Sequence, residues 1–401
     1  MPRILLLVPT ATYRAADFVA AARAIGAELV IASDEAPPLG GDDTRSIAVP
    51  LHDPQAAATA IVDLDTRRGV DAIVALDDQG IVIAAAAAER LGLPHHGLDA
   101  VTRTRDKEAM REALREAEVP QPRFVAFDGP EQLPEDLPFP WVVKPVGLSA
   151  SRGVIRADDA DGARKAAARA LAIAGGGRLL AEEFVPGDEV AVEGLLQHGA
   201  LAVLAVFDKP DPLEGPYFEE TIYVTPSRQP RTVLDSVARA TAEACAAIGL
   251  AEGPVHAEVR VRDGRVFVIE VAARSIGGLC ARALRFGAGI SLEEVILRHA
   301  LGMDVDSLER EDAASGVMML PIPRTGRLEA VAGQAAARAV PGIVGLEITI
   351  PPGRTVHALP EGDRYLGFLF ARGEQPAEVE AALRAAHAAL DIRISPLPAD
   401  R

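Results

Sequence analysis

The sequence predicts a multidomain protein of mixed α/β and α+β character, opening on an open, mostly parallel sheet. Three observations carry that prediction. The 401-residue chain is too long for one ordinary core. Over residues 1–100 strand-like runs alternate with helical periods, the pattern of β-α-β units. Farther on, β-rich runs are separated by longer helices and Pro/Gly-rich loops, the pattern of antiparallel sheets.

In order, Arg3 to Val8 is a buried-strand run, Asp17 to Ile25 a helix, Glu28 to Ala32 a second strand and Ile47 to Leu51 a third. Gln55 to Arg68 is helical, Val70 to Leu76 is a fourth strand, and Ile81 to Leu91 is an Ala-rich helix. The ligand crevice of such a sheet lies beyond the carboxyl ends of its strands, here Pro9-Thr10-Ala11-Thr12 and Asp77-Asp78-Gln79-Gly80. No GxGxxG follows the first strand, so these loops suit a substrate other than a dinucleotide.

From Asp99 a helix runs to Ala117, with Thr104 or Asp106 as its N-cap and Lys107 in its first turns. Phe124 to Phe127 and Trp141 to Lys144 read as strands. The loop after Lys144 runs from Gly147 through Ser149, Ala150 and Ser151 to Gly153; it is either a plain hairpin turn or a concavity of N–H groups suited to phosphates. After the helix Ala160 to Ala174, a strand through Glu182 breaks at Pro186-Gly187 and resumes at Val190. The break leaves backbone groups of Glu183, Phe184 and Val185 unpaired, able to read an adenine edge, with Glu189 placed for ribose hydroxyls. Leu201 to Phe207 is a strand, and Thr232 to Ile248 a helix. Between them residues 211–227, with Tyr217, Phe218, Glu219 and Glu220, read as a lid or substrate loop.

Val255 to Val261 and Val266 to Ala272 flank Asp263-Gly264 and form a hairpin. Alternation puts His256, Glu258 and Arg260 on one face, and Val268, Glu270, Ala272 and Arg274 on one face of the return strand. A two-residue turn would set Glu258 and Glu270 on opposite sides. A three-residue turn, Arg262-Asp263-Gly264, keeps them together with His256 facing Glu270, close enough to hold a hard cation. Next, Gly277-Gly278 precedes a helix whose free N–H groups suit a carboxylate. Leu292 to Ala300 is helical, and from Gly316 the chain reads as a separate small α+β unit: strands at Val317 to Leu320, Leu346 to Ile350 and Tyr365 to Ala371, and a helix at Pro376 to Leu390.

Composition excludes several classes. A net charge of −17 without a basic block argues against a nucleic-acid partner. No apolar run reaches membrane-spanning length and no signal-peptide pattern follows Ile4 to Val8, so a cytoplasmic protein without a membrane partner is expected. Cys245 and Cys280 read as packed thiols. Arg has so largely replaced Lys that only Lys107, Lys144, Lys165 and Lys209 remain, which marks them as places where a compact ammonium is needed. There is no asparagine at all.

Five features now stand in order: Lys107, Lys144 with its glycine loop, Glu182 to Glu189, Glu258, and Glu270 to Arg274. That order resembles the ATP-grasp superfamily. The run Phe207-Asp208-Lys209-Pro210 through Phe218-Glu219-Glu220 to Pro226-Ser227 looks like that of L-amino-acid ligases and related carboxylate-amine ligases. So does the C-terminal unit, with Pro341-Gly342 and Arg364 to Phe368. The resemblance implies an N-terminal domain over 1–100, a linker helix over 101–118, a central lid over 119–185, a catalytic domain over 186–310 and an α+β extension over 311–401.

It implies further that Lys107 and Lys144 contact ATP phosphates beneath Gly147, Ser149, Ser151 and Gly153. Glu182 would be among the nucleotide-binding residues, the backbone of Glu183, Phe184 and Val185 would hold adenine, Glu189 ribose, and Glu258 and Glu270 Mg²⁺ or Mn²⁺. Glu270, Lys144 and Arg274 would be catalytic. His256, Arg274, Gly277, Gly278, Lys209 and Glu220 would face the substrates, a small-molecule carboxylate and an amine. The family pattern Glu-x-Asn-x-Arg reads Glu270-Val271-Ala272-Ala273-Arg274 here, so one ligand side chain is missing.

The expected activity is therefore ADP-forming amide synthesis through an acyl phosphate. A hydroxyl kinase is the first alternative and a non-catalytic ATP-binding sensor the second. Amine dependence of ADP release separates the first two, and binding without turnover identifies the third. A homodimer through the C-terminal unit is compatible with the sequence.

Overall fold

The computed structural model describes residues 1–9, 12–35, 46–305 and 307–397. Thr10 and Ala11 of the first expected substrate loop lie outside the described residues. The first sheet is parallel, with strands in the order Ser46–Ala48, Glu28–Ser33, Arg3–Leu7, Ala72–Ala75. Its central strand is apolar after Arg3 because alternate residues enter two cores. Leu5 and Leu7 pack with Ile61 and the Ala-rich helix Ile81–Leu91, while Ile4 and Leu6 pack with Phe18 and Ile296. The Asp77-Asp78 loop thereby points at the rest of the chain.

The linker is two helices, Leu98–Arg105 and Lys107–Glu116, not one. Asp106 divides them, its carboxylate accepting from the Ala109 N–H at 2.9 Å, whereas the Thr104 hydroxyl donates to the Val101 carbonyl and caps nothing. Four antiparallel strands follow, in the order Phe124–Phe127, Leu179–Glu183, Trp141–Pro145, Ile155–Ala157. The helix Ala160–Ala174 covers them with Ala163, Ala166, Ala167 and Ala170. The glycine loop joins two of these strands, so it is a hairpin connection and a backbone concavity at once.

The C-terminal part joins the preceding strands in one sheet. An eight-stranded sheet runs Arg265–Ala272, Gly253–Arg262, Asp188–Gln197, Ala200–Asp208, Ile222–Thr225, Ala314–Leu320, Gly367–Gly373, Ile343–Ile348. The joint is Ile222–Thr225, inside the stretch expected to be a structureless loop; Val224 pairs with Asp208 on one side and Ile222 with Met318 on the other. All four of its residues are buried, so it carries no alternation by which a strand is read. A three-stranded sheet of Thr355–Val356, Gly326–Ala332 and Asp391–Ser395 packs beyond it. Among the described residues no helix is long and apolar enough to cross a membrane.

The carboxylate hairpin corrects the expected register. Arg262 pairs with Arg265 across a two-residue turn, Asp263 and Gly264 both taking positive φ (52° and 75°). Such a turn alone would separate the two glutamates. A β-bulge at Ile269 restores parity: Val259 faces Val268, the next pair is Glu258 and Glu270, and His256 faces Ala272. Val268 therefore enters the core with Val259, and does not share the face of Glu270.

Candidate active site

On strand Asp188–Gln197, Glu189, Ala191 and Glu193 share one face, and the register sets them against Arg260, Glu258 and His256. Two cross-strand ion pairs result, Arg260 Nε to Glu189 Oε2 at 2.8 Å and His256 Nδ1 to Glu193 Oε2 at 3.2 Å. Glu193, fully buried, also accepts from the Ile276 N–H at 2.9 Å. Burial alone would lower the pKa of His256, but hydrogen bonds to Glu193 and Glu258 outweigh it and raise it to about 9. Glu193 was not singled out in the sequence. The available signal was its spacing from Glu189, since residues four apart on a strand share a face.

Glu258 and Glu270 stand directly opposite at the centre of this face. Burial would raise the Glu258 pKa; Lys209 and His256 bring it down to about 2. For Glu270 burial is likewise outweighed, by Lys107 and Lys144, and the carboxyl is held below its ordinary value.

Beneath the glycine loop lies a cavity of about 90 Å³, lined by Lys107, Lys144, Phe184, Val185, Leu213 and Ile269 among others. Lys144 Nζ meets Glu182 Oε2 at 2.6 Å, and Arg111 Nε meets Glu182 Oε1 at 2.7 Å. Glu182 thus positions a lysine and presents no free carboxylate. Arg111, wholly buried and absent from the sequence reading, also donates to the carbonyls of Val268 and Ile269 at 3.1 and 2.6 Å. It receives the carbonyls at the bulge, and so ties the linker helix, the lid and the hairpin together.

Lys107 Nζ bonds the Leu148 carbonyl in the glycine loop and lies 3.7 Å from Glu270. In that loop Gly147 has open space at its Cβ position. At Gly153, φ is +69° and a Cβ would lie 2.9 Å from Pro145, so glycine is required. Ser149 and Ser151 line the cavity beside it.

The backbone at the strand break is less free than expected. Glu183 N–H donates to Arg123 O, Phe184 N–H to Pro140 O, and Val185 O accepts from Arg260 at 2.8 Å. Only the Val185 N–H finds no acceptor among the described residues. The Glu183 side chain faces outward to Arg123, and the Phe184 ring lies 4.3 Å from the Arg156 guanidinium. Glu189 is held on both oxygens, by Lys209 at 2.7 Å and by Arg260.

A second cavity, of about 370 Å³, opens farther along the same face of the hairpin against the N-terminal sheet, with Tyr13, Arg14, Asp77, Arg274 and Arg364 in its wall. Both cavities include Ser151, Glu220, Glu258 and Glu270. Asp78 grips Arg274 bidentately, at 2.8 and 3.0 Å, with Arg105 at 3.4 Å, so Asp78 is not available to an amine. Burial would raise Asp78; Arg274 and then Arg105 hold it well below the carboxylate range. Its neighbour Asp77 has no cationic partner among the described residues, and burial pushes its pKa up. Arg14, 4% exposed, donates to Ser275 Oγ at 2.7 Å and has no carboxylate partner among the described residues.

Gly277 and Gly278 line this cavity, but they lead into a four-residue 3₁₀ turn, Cys280–Ala283, and not into the helix expected. One turn has no macrodipole to offer a carboxylate. Gly278 is required for another reason: φ is +61° and a Cβ would lie 2.8 Å from Phe368. Lys209 and Glu220 meet at the junction of the cavities. Outside the site, His96 is held through both ring nitrogens, by Pro254 O at 3.1 Å and Glu252 N–H at 3.2 Å, and its role is structural. Both cysteines are buried, and burial pushes the Cys245 thiol up to about 12.

Residues 19–95 match the ATP-grasp N-terminal domain, 137–283 the ATP-grasp domain, and 318–395 the L-amino acid ligase C-terminal domain 2. Alanine–anticapsin ligase of Bacillus subtilis (strain 168) is 27% identical over 263 residues, 59% of this chain and 55% of that protein. The chain thus spans about half the length of that relative. D-alanine–D-alanine ligase of Gluconobacter oxydans (strain 621H) is 33% identical over 245 residues, 57% of this chain and 74% of the relative. The crystal structure of L-amino acid ligase from Bacillus licheniformis superposes with a TM-score of 0.83 at 25% identity, covering 98% of this chain and 99% of the other. With three consecutive domain matches, a D-alanine–D-alanine ligase as relative and a fold shared end to end, the chain belongs to the ATP-grasp superfamily.

Proposed function

We propose that the chain is an ADP-forming carboxylate–amine ligase, activating a carboxylate, an amino acid by analogy with its relatives, as an acyl phosphate and passing the acyl group to an amine. One observation carries the reading: two chemically different cavities meet at a single row of carboxylates, so that a nucleotide in one and an acid in the other would touch only there.

In this reading Lys107, Lys144 and the N–H groups of Gly147 to Ser151 take the phosphates, Val185 N–H takes an adenine edge, and Glu189 accepts from ribose. Glu258 and Glu270 are hard oxygen ligands opposite each other on one face, and they fit Mg²⁺ or Mn²⁺ with water in the place left by Ala272. A divalent ion held there would neutralise charge on the transferring phosphoryl group. Arg274, fixed in its plane by Asp78, does the same from the substrate side. A carboxylate oxygen attacks the γ-phosphorus and ADP leaves; the amine then attacks the acyl carbon and phosphate leaves. Arg14 and Asp77 offer a cation and an anion to the ends of a zwitterionic substrate.

Closure of the lid, residues 119–185, would keep water from the acyl phosphate. It rests on the C-terminal part here: Gly153 N–H donates to Pro360 O at 3.0 Å, and Arg169 grips Glu361 at 2.7 and 3.0 Å.

The test is ADP and phosphate release from Mg-ATP with amino acids supplied singly and in pairs. Release that needs two substrates supports the ligase. Release with one hydroxyl compound and no amine would indicate a kinase. Ala272 favours a second reading, a nucleotide-binding sensor, and ATP binding with no release in any mixture would be its signature.

A further inference from the structure

Lys209 is one of only four lysines in the chain, and its side chain is 3% exposed. Its ammonium lies 2.7 Å from Glu189 Oε1 and 3.2 Å from Glu258 Oε1, and it bonds Glu220 Oε1 as well. The Tyr223 ring lies over it at 5.2 Å. Among the described residues, Glu189, Glu220 and Glu258 are the one set of three such side chains whose ligand atoms converge, all within 4.8 Å of one another.

Three carboxylates aimed at one point describe a cation site, and here a cation of the chain's own occupies it. A tetrahedral ammonium carries three donors and can serve three convergent oxygens; a planar guanidinium cannot. That accounts for a retained lysine in an Arg-rich chain. Nearby, the strand has lost a ligand: Ala272 supplies no oxygen, and it faces His256 across the hairpin.

We propose that Lys209 is a built-in cation, its ammonium filling the place that Glu189, Glu220 and Glu258 would otherwise offer to a second divalent ion. The site then works with one metal ion, between Glu258 and Glu270. This rests on the metal-holding role given to that pair under the proposed function.

Mn²⁺ bound per chain, counted by electron paramagnetic resonance, tests it. Without nucleotide, Lys209→Ala should bind one Mn²⁺ that the wild type does not, and Mn²⁺ should raise the melting temperature of the variant but not of the wild type. With a non-hydrolysable ATP analogue, the wild type should hold one ion and the variant two. Equal counts in the two proteins without nucleotide, or two ions in the wild type with it, would overturn the proposal. The wild-type count decides alone if Lys209→Ala does not fold. A wild type that holds no ion even with the analogue would sink the metal role of Glu258 and Glu270, and this inference with it. By contrast, one ion in the wild type with no gain in the variant sinks this inference alone.

Discussion

Beneath the glycine loop the chain satisfies its own charges, whereas farther along the same face of the hairpin it leaves some unanswered. On the first side Lys144 and Arg111 share Glu182, and Arg260 and Lys209 share Glu189. On the second, Arg274 is clasped by Asp78 and His256 by Glu193, but Arg14 and Asp77 make no ion pair within 4 Å among the described residues. Self-paired charges are held in place before any ligand arrives, as a site for one invariable cosubstrate requires. A buried charge without a partner is costly until a ligand supplies one. In the proposed reading the nucleotide side is thus built for position and the substrate side for selection.

The largest expected effect comes from breaking the self-paired side. Arg111→Met leaves Glu182 with Lys144 alone and strands the two bulge carbonyls, and should cost about 3–5 kcal/mol of stability in denaturant unfolding. An unchanged unfolding midpoint would show that the pairing contributes nothing. Next, Glu270→Gln should leave folding intact while slowing ADP release about 10²–10³-fold, as when one charge-stabilising group is lost from a transition state; a rate within a few-fold of wild type would remove Glu270 from the chemistry.

His256 provides a pH-dependent comparison. Its folded pKa of about 9 exceeds the ordinary 6.5, so the stability it contributes is fully present below pH 6.5 and is lost as pH rises through 9. The shift corresponds to roughly 3 kcal/mol. Wild type should therefore lose that margin over His256→Gln between pH 6.5 and 9, and parallel stability curves would contradict the pairing with Glu193. The smallest effect is expected on the substrate wall, where Gly278→Ala must take positive φ against Phe368 and should cost about 1–3 kcal/mol.

The same contrast explains which residues could be read in advance. Lys107, Lys144, the glycine loop, Glu258 and Glu270 stand out because backbone and phosphate chemistry impose residue types at short spacing. Arg111 did not, being one arginine among many whose partners lie 71 and about 157 residues away. The bulge at Ile269 left no mark either, because an extra residue in a strand is visible only against its partner, and the parity of the hairpin was therefore assigned to the wrong turn. Strand Ile222–Thr225, buried on both faces, was hidden in the same way, and with it the continuity of the eight-stranded sheet.

Phosphorylation of a carboxylate where the two cavities meet is the central claim. Amino acids labelled with ¹⁸O in their carboxylates, supplied with Mg-ATP and the amine partner, test it most directly. One labelled oxygen should appear in the released phosphate as amide forms, because the acyl phosphate breaks between carbon and that oxygen. Amide formed with unlabelled phosphate, or phosphate released with no amide, would contradict it.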